Sequence, residues 1–415
     1  MRRVLAAKPV PCSHRLMAAE PSDLPTPWLD PGLLPEATQG GWAWISHGVA
    51  HPMDLDALLA EIRLDPDRPS PPRKNLFFSP PPPPMVTLVE APGRPRILPV
   101  SEVPELQAAM LARDELILRR NLRTGLPTLL LVGALLAIGI TVGTHLAYLV
   151  ILALVFLQQL GPVLDGARLL RQVRRRPGAY LAQHARELRF QIWMSRAGLA
   201  PVRRTWTLAG TWAVLFLLQI VAGPESSILA AGLVKAKVAA EPWRLLTGAM
   251  LHGSMLHILM NGLATLVLGK LVERVASRHL VVPIWLLGAL CGSLASWALL
   301  PATSIGASGG LMALLGFLAV LGWRRRQLLP PDFGAAMARS LVLMGVLGIL
   351  AWKLVDNAGH GGGLLAGVFA GLWVLRDPAT PLPLPERPGL AALGGAAMAI
   401  FLLLAAWTAW KVLGF

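Results

Sequence analysis

From about Leu126 onward the chain alternates long apolar runs with short polar loops rich in arginine. A transmembrane helix needs about 20 predominantly apolar residues. The runs read as spans at about Trp206–Ala222, Arg244–Val272, Leu280–Leu300, Ser308–Trp323, Ala336–Leu354 and Asn357–Leu375, with a further one at about Leu390–Val412. Leu126 to Leu160 is apolar too, broken at Gly143-Thr144-His145, and reads as a tight helical hairpin or a re-entrant pair. Before Leu126 the pattern changes. Trp42–Ile45, Met85–Glu90 and Arg96–Val100 read as short strands, whereas Leu55, Leu58, Leu59 and Ile62 share one helix face behind Asp54, a helix-capping residue. Glu105–Arg119 predicts another helix, and Pro80–Pro84 a polyproline II spacer.

One span is too short. Ser308 to Gly322 covers roughly 22 Å at 1.5 Å per residue, against a hydrocarbon core of about 30 Å. Non-helical chain, Pro301 to Ala307, must make up the difference. Irregular backbone at that depth persists only where protein or a water-filled cavity satisfies its polar groups. The short span therefore predicts a cavity with Ser308 at its floor.

Composition agrees: 54% of the 415 residues are hydrophobic, 15% are charged, and the mean hydropathy is +0.56. The net charge of +15 raises nucleic acid as a partner, but its placement decides otherwise. Pro162 to Arg204 holds ten arginines against two acids, a net of +8 wedged between apolar runs, which is the positive-inside pattern. Within it Leu181, Ala185, Leu188 and Ile192 recur at helical spacing opposite Arg186 and Arg189, predicting an amphipathic helix on an anionic leaflet. Arg274, Arg278, Arg324 to Arg326, Arg376 and Arg387 fall on the same side, so that side is expected to be cytoplasmic and Ser308 to face outward. Cys12 and Cys291 make no disulfide or metal framework, and the basic start, Met1-Arg2-Arg3, leads into no apolar run, so no cleaved signal peptide is expected.

Polar groups inside spans are costly and default to functional hypotheses. The second span carries His252, His257 and Asn261, the fourth Ser308, the sixth Asn357 and His360. His257 and Asn261 lie four apart and share a helix face. Glycines at 359, 363, 367 and 371 form an every-fourth-residue ridge on the sixth span, and small residues so spaced let helix backbones nearly touch. Packed against Gly309, Ala313 and Gly316 of the fourth span, that ridge would bring the His360 imidazole to the Ser308 hydroxyl, a nucleophile beside its base. Asn261, His257 and the Ser308 N–H could then donate to an oxyanion.

Trp243-Arg244, the run His252 to Asn261, Gly306-Ala307-Ser308-Gly309 and Gly359-His360 resemble, in order, the motifs of the rhomboid intramembrane serine proteases. The resemblance covers about residues 205–375. It implies a six-helix core, Ser308 as nucleophile, His360 as general base and acid with no acidic third member, and an oxyanion hole of His257, Asn261 and the Ser308 N–H. It further implies a structural role for His252 and a loop-shaping one for Trp243-Arg244. Many members carry an aromatic ring under the histidine where this chain has Met312, whose thioether can still contact an imidazole.

The expected architecture is thus an all-α polytopic membrane protein. It comprises a small soluble α+β segment at 1–120, a helical hairpin and basic amphipathic segment at 121–204, a rhomboid-like core at 205–375, and a linker with an extra span at 376–415. The expected function is endoproteolysis of transmembrane substrates in or near the outer bilayer by a Ser-His dyad without cofactor, with the bilayer and not nucleic acid as its other partner. The expected location is a bacterial inner membrane with the N-terminal segment cytoplasmic. A non-catalytic rhomboid-like client-binding protein is the alternative. A transporter or metal site on His252, His257 and His360 is disfavoured because 252 and 257 do not share a face and no carboxylate joins them within the spans. The pair His47 and His51 likewise gathers no further ligands.

Overall fold

A computed structural model of the chain describes residues 26–28, 30–37, 40–46, 49–63, 88–143, 146–197 and 202–414. The polyproline run, His47, Thr144 and His145 lie outside these residues.

The first element is a four-stranded antiparallel sheet in the order β2-β1-β3-β4, from β1 (Ala43–Ser46), β2 (Val49–Pro52), β3 (Leu88–Glu90) and β4 (Leu98–Pro99). Helix α1 (Leu55–Arg63) begins where the Asp54 carboxylate accepts from the Ala57 N–H at 2.6 Å, and it buries Leu58 and Ile62 against Val89, Val100, Leu106 and Met110. His51 lies in β2 with its ring against Trp44.

Helix α2 (Pro104–Thr141) differs from the expectation of a soluble helix followed by a separate hairpin arm. The Glu105–Arg119 helix and the first arm are one continuous helix of 38 residues, despite Pro127 inside it. Arg119, Arg120, Leu122 and Arg123 are good helix formers, and Asn121, Gly125 and Pro127 do not suffice to end the helix between them. The turn after α2 uses Gly143 at a φ of 67°, and α3 (Leu146–Arg175) returns alongside. Helix α4 (Pro177–Ala197) is the expected amphipathic element, but it packs on protein instead of lying on a leaflet. Tyr180 and Leu181 are buried in the core of the N-terminal sheet, and Ala185 and Phe190 are buried as well. The apolar face is covered by protein because α2 extends far enough from the membrane to offer it a partner.

The remaining helices are α5 (Arg203–Ala222), α6 (Pro224–Ala231), α7 (Arg244–Thr247), α8 (Met255–Leu271), α9 (Val281–Leu299), α10 (Ser308–Arg324), α11 (Pro331–Leu350), α12 (Asn357–Val374) and α13 (Pro388–Val412). The expected single span from Arg244 is corrected to three pieces. Helix α7 and a 3-10 turn at Gly248–Met250 lie in the loop, and α8 starts only at Met255, where the Ser254 hydroxyl caps the His257 N–H at 3.2 Å. Six described helices are long and apolar enough to cross a membrane, and α10 is a shorter apolar one. The protein is therefore an α-helical, multi-pass membrane protein carrying a small sheet near its N-terminus.

Helix α10 is the centre. Gly310 to Leu318 are all buried, with α9 and α12 packed along it. Trp28 ties the N-terminal part to the arginine-rich end of this core: its Nε1 donates to Leu328 O at 2.7 Å, and its ring packs on Phe190 and Trp193. The hairpin meets α11 through an Arg339–Asp165 ion pair, and α13 packs against α5 and α9.

Candidate active site

Ser308 sits where chain geometry allows no helix before it and a helix after it. Leu233 and Ser304 exchange backbone hydrogen bonds at 3.0 and 3.3 Å, and the Gly306 N–H donates to Gly248 O at 2.9 Å. Gly306 has a φ of 126°, which L side chains rarely adopt. A β-carbon there would also stand 2.7 Å from His257 Cε1 and 2.8 Å from its Nε2, so only glycine fits. Trp285 of α9 then fixes the last non-helical residue, its Nε1 donating to Ala307 O at 3.2 Å. Ser308 opens α10, so its N–H is among the first-turn donors that lack intrahelical acceptors.

The second group comes from α8. The Gly253 N–H donates to His257 Nδ1 at 3.4 Å, which assigns the proton of a neutral ring to Nε2, the edge turned toward Gly306. The Asn261 amide nitrogen lies 3.7 Å from the same hypothetical β-carbon and has no hydrogen-bond partner among the described residues, although it is buried. Two donors of α8 thus converge on the chain two residues before Ser308. His252 precedes α8 and is 1% exposed, with its ring against Trp212 and His257. Its backbone is clamped by Gln219, which accepts from its N–H at 3.0 Å and donates to its carbonyl at 3.2 Å.

His360 comes from α12, whose N-cap is Asp356, accepting from the Gly359 N–H at 2.7 Å. The glycine ridge faces the serine helix. A β-carbon on Gly363 would overlap Gly309 O, one on Gly367 would overlap Ala313 O, and one on Gly371 would meet Val320. Gly359, at the top, turns instead toward α9, where a β-carbon on Gly292 would stand 2.6 Å from Gly359 O. Gly309 lies between the two contacts.

This approach puts Ser308 and His360 in the wall of one cavity of about 30 Å³, with Gly306, Gly309, Ser304 and Asp356. That is room for about one water. Neither the Ser308 hydroxyl nor the His360 imidazole has a hydrogen-bond partner among the described residues, and catalytic contacts of this kind often tighten only with substrate bound. Met312 is buried one turn below Ser308. Trp243 and Arg244 organise the adjoining loop: the guanidinium lies 4.6 Å over the indole, pairs with Glu241, and donates to Gly232 O at 2.8 Å. No group of three or more His, Cys, Asp or Glu side chains able to hold a metal occurs among the described residues.

The sequence reading did not single out Trp285, Gln219, Lys235 or Ser296. A tryptophan within an apolar run carries no mark of which carbonyl it meets, whereas Gln219 and Lys235 were available as polar residues in or beside spans.

Residues 239–377 match the family model of the Rhomboid domain. The chain is 33% identical over 161 residues to Rhomboid protease GluP of Bacillus subtilis, covering 38% of this chain and 32% of that one. It is 34% identical over 141 residues to RHOMBOID-like protein 7 of Arabidopsis thaliana, covering 33% and 44%. Rhomboid protease GlpG of Pectobacterium atrosepticum is 32% identical over 179 residues, covering 41% and 62%. The chain therefore spans less than two thirds of each of these relatives.

Proposed function

We propose that the protein is an intramembrane serine endopeptidase that cleaves membrane-anchored substrates by a Ser308–His360 dyad. The observation that carries this reading is that Ser308 and His360 share one cavity wall at the close contact of α10 and α12. In this mechanism Ser308 Oγ attacks a scissile carbonyl as His360 takes its proton. The tetrahedral oxyanion is met by the Ser308 N–H, the His257 Nε2–H and the Asn261 amide, donors already in place before charge develops. Collapse expels the amine, which receives the proton from His360, and a water admitted to the cavity hydrolyses the acyl-enzyme by the same route in reverse. Asp356 is given no third triad role: its carboxylate accepts from the Gly359 N–H and the Ser296 hydroxyl, and among the described residues no hydrogen bond joins it to the His360 imidazole. His252 supports the donor loop through Gln219 and the His257 ring.

The arginine-rich loops support an orientation with the Ser308 end outward and the N-terminal sheet in the cytoplasm, as in a bacterial inner membrane. Substrates then reach the cavity from the outer part of the bilayer. The test is a fluorophosphonate probe on purified protein, with the modified peptide identified by mass spectrometry. Labelling at Ser308, lost in Ser308→Ala together with cleavage of a transmembrane substrate, is the expected result. A folded protein that binds membrane clients but neither labels nor cleaves would instead be the non-catalytic relative.

A further inference from the structure

A polar chain runs beside the cavity and joins three segments that the dyad does not explain. Lys235, in the 3-10 turn Lys235–Lys237 between α6 and α7, donates from Nζ to the Ser296 hydroxyl near the end of α9 and to Ser304 Oγ at 3.3 Å. Ser296 and Ser304 lie 3.0 Å apart through their hydroxyls. Ser296 Oγ in turn donates to Asp356 Oδ2, and Asp356 Oδ1 caps α12 at the Gly359 N–H. The His360 N–H closes the first turn on Asp356 O at 2.9 Å.

The charges at the two ends never touch. A lysine and an aspartate, both partly buried, are held apart and bridged by Ser296, which donates to the carboxylate and accepts from the ammonium. Burial pushes the Lys235 ammonium below the usual lysine value, and the Asp356 charge acts against that shift. A bridge of this kind, with each member satisfied, fixes geometry at some cost in desolvation. What it fixes is informative. Ser304 pairs with Leu233 and leads into Gly306 and Ser308, and Asp356 starts the helix that carries His360. The same lysine therefore holds the strand before the nucleophile and the cap before the base.

We propose that Lys235, acting through Ser296 and Asp356, is a positioning residue that sets His360 against Ser308 and couples the loop between α5 and α8 to the base-bearing helix. This rests on the protease reading above. The latch works by placement, since among the described residues Asp356 makes no hydrogen bond to the imidazole and Lys235 touches neither reacting group. A displacement of about 1 Å at the base costs on the order of 10²-fold in rate. Loss of one member, with Ser296 still present, is expected to produce part of that.

The experiment compares Lys235→Met, Lys235→Arg, Asp356→Asn and the double variant Lys235→Met/Asp356→Asn. Asparagine keeps the cap, and methionine keeps the unbranched stem, so folding is preserved and thermal unfolding checks it. The readouts are kcat and KM on a transmembrane substrate and the rate of Ser308 labelling by the fluorophosphonate probe. The expected result is a fall of about tenfold in kcat and labelling for Lys235→Met and for Asp356→Asn at unchanged KM. The double variant should be no worse than the poorer single, and Lys235→Arg should retain most of the activity. Single variants at parental kcat, losses that multiply in the double, or an effect on KM alone would overturn the latch while leaving an active parent protease. A parent that neither labels nor cleaves overturns the protease reading, and this inference with it.

Discussion

Helices α2 and α9 are alike to a hydropathy scale and unlike in the protein. Both are long and apolar enough to cross a membrane, yet 17% of the most apolar stretch is buried in α2 and 50% in α9. The difference is side-chain size. Helix α9 buries Gly288, Gly292 and Ser296 at every fourth position, and α10 and α12 come in against those notches. Helix α2 exposes Leu130, Leu131, Leu135, Ile138 and Ile140. In lipid, large apolar residues gain little by meeting another helix, because the tails are as apolar as they are. Apolar character therefore says that a helix is in the membrane, and small residues say which helices form the interior where a polar site can stand.

The sharpest way to break this comparison is to fill a notch. Gly363→Val places its side chain on Gly309 O, backbone that cannot yield without moving the turn after Ser308. The expected outcome is loss of proteolysis and of probe labelling, with a destabilisation of about 3 kcal/mol. Gly361→Ala, two residues earlier on α12, meets nothing within 4 Å and should be neutral or slightly stabilising, since alanine favours the helix by about 1 kcal/mol. Thermal unfolding in detergent with labelling at Ser308 reads both. Equal behaviour of the two variants would mean that the ridge does not carry the site.

Next in size is the donor side. Asn261→Ala removes a buried amide with no partner among the described residues, so it leaves no stranded acceptor and should fold. Loss of one preorganised oxyanion donor lowers kcat about 10²–10³-fold. Single-turnover cleavage compared with the parent measures it, and full activity would make Asn261 a packing residue only.

These two tests differ in how far the sequence exposes them. The ridge at 359, 363, 367 and 371 is visible because periodicity is a property of one helix, and packing on α10 follows for the three lower glycines. Gly359 escapes that reading, since which of two neighbours a top residue meets depends on helix crossing, which no single segment encodes. Ser308 was legible for another reason: a span too short for the bilayer is a matter of length. The continuity of α2 was not, because a soluble helix and a membrane helix share one geometry, and Gly125 and Pro127 between them suggest a break that the helix does not make. The apolar face of α4 also misled, as an amphipathic helix looks the same whether lipid or protein covers it.

A smaller effect is expected at Trp285, which lies on the packed side of the comparison. Its indole N–H holds Ala307 O, and its ring fills the space over Gly310. Trp285→Phe keeps most of the ring and removes the donor, a loss of about 1 kcal/mol in stability. The turn before Ser308 then loosens, so labelling should slow several-fold while KM stays near its parental value. Stopped-time labelling with mass readout tests this, and an unchanged rate would show that the backbone bonds of Ser304 and Gly306 suffice to hold the turn.

The smallest effect should come from the lipid-facing side of α2. Leu131 is 61% exposed and Leu314 of α10 is fully buried, so Leu→Ala at the two positions compares the two environments with the chemistry held constant. At Leu314 the deletion leaves a cavity between α10 and its neighbours and should cost about 2–5 kcal/mol. At Leu131 lipid or detergent closes over the gap, and the change should stay within about 0.5 kcal/mol, the range of exposed substitutions. The measurement is thermal or denaturant unfolding in the same detergent for both variants. Should Leu131→Ala approach Leu314→Ala in cost, the exposed face of α2 would have to be covered by protein in solution, and a concentration-dependent melting temperature would identify a second copy of this chain as the cover.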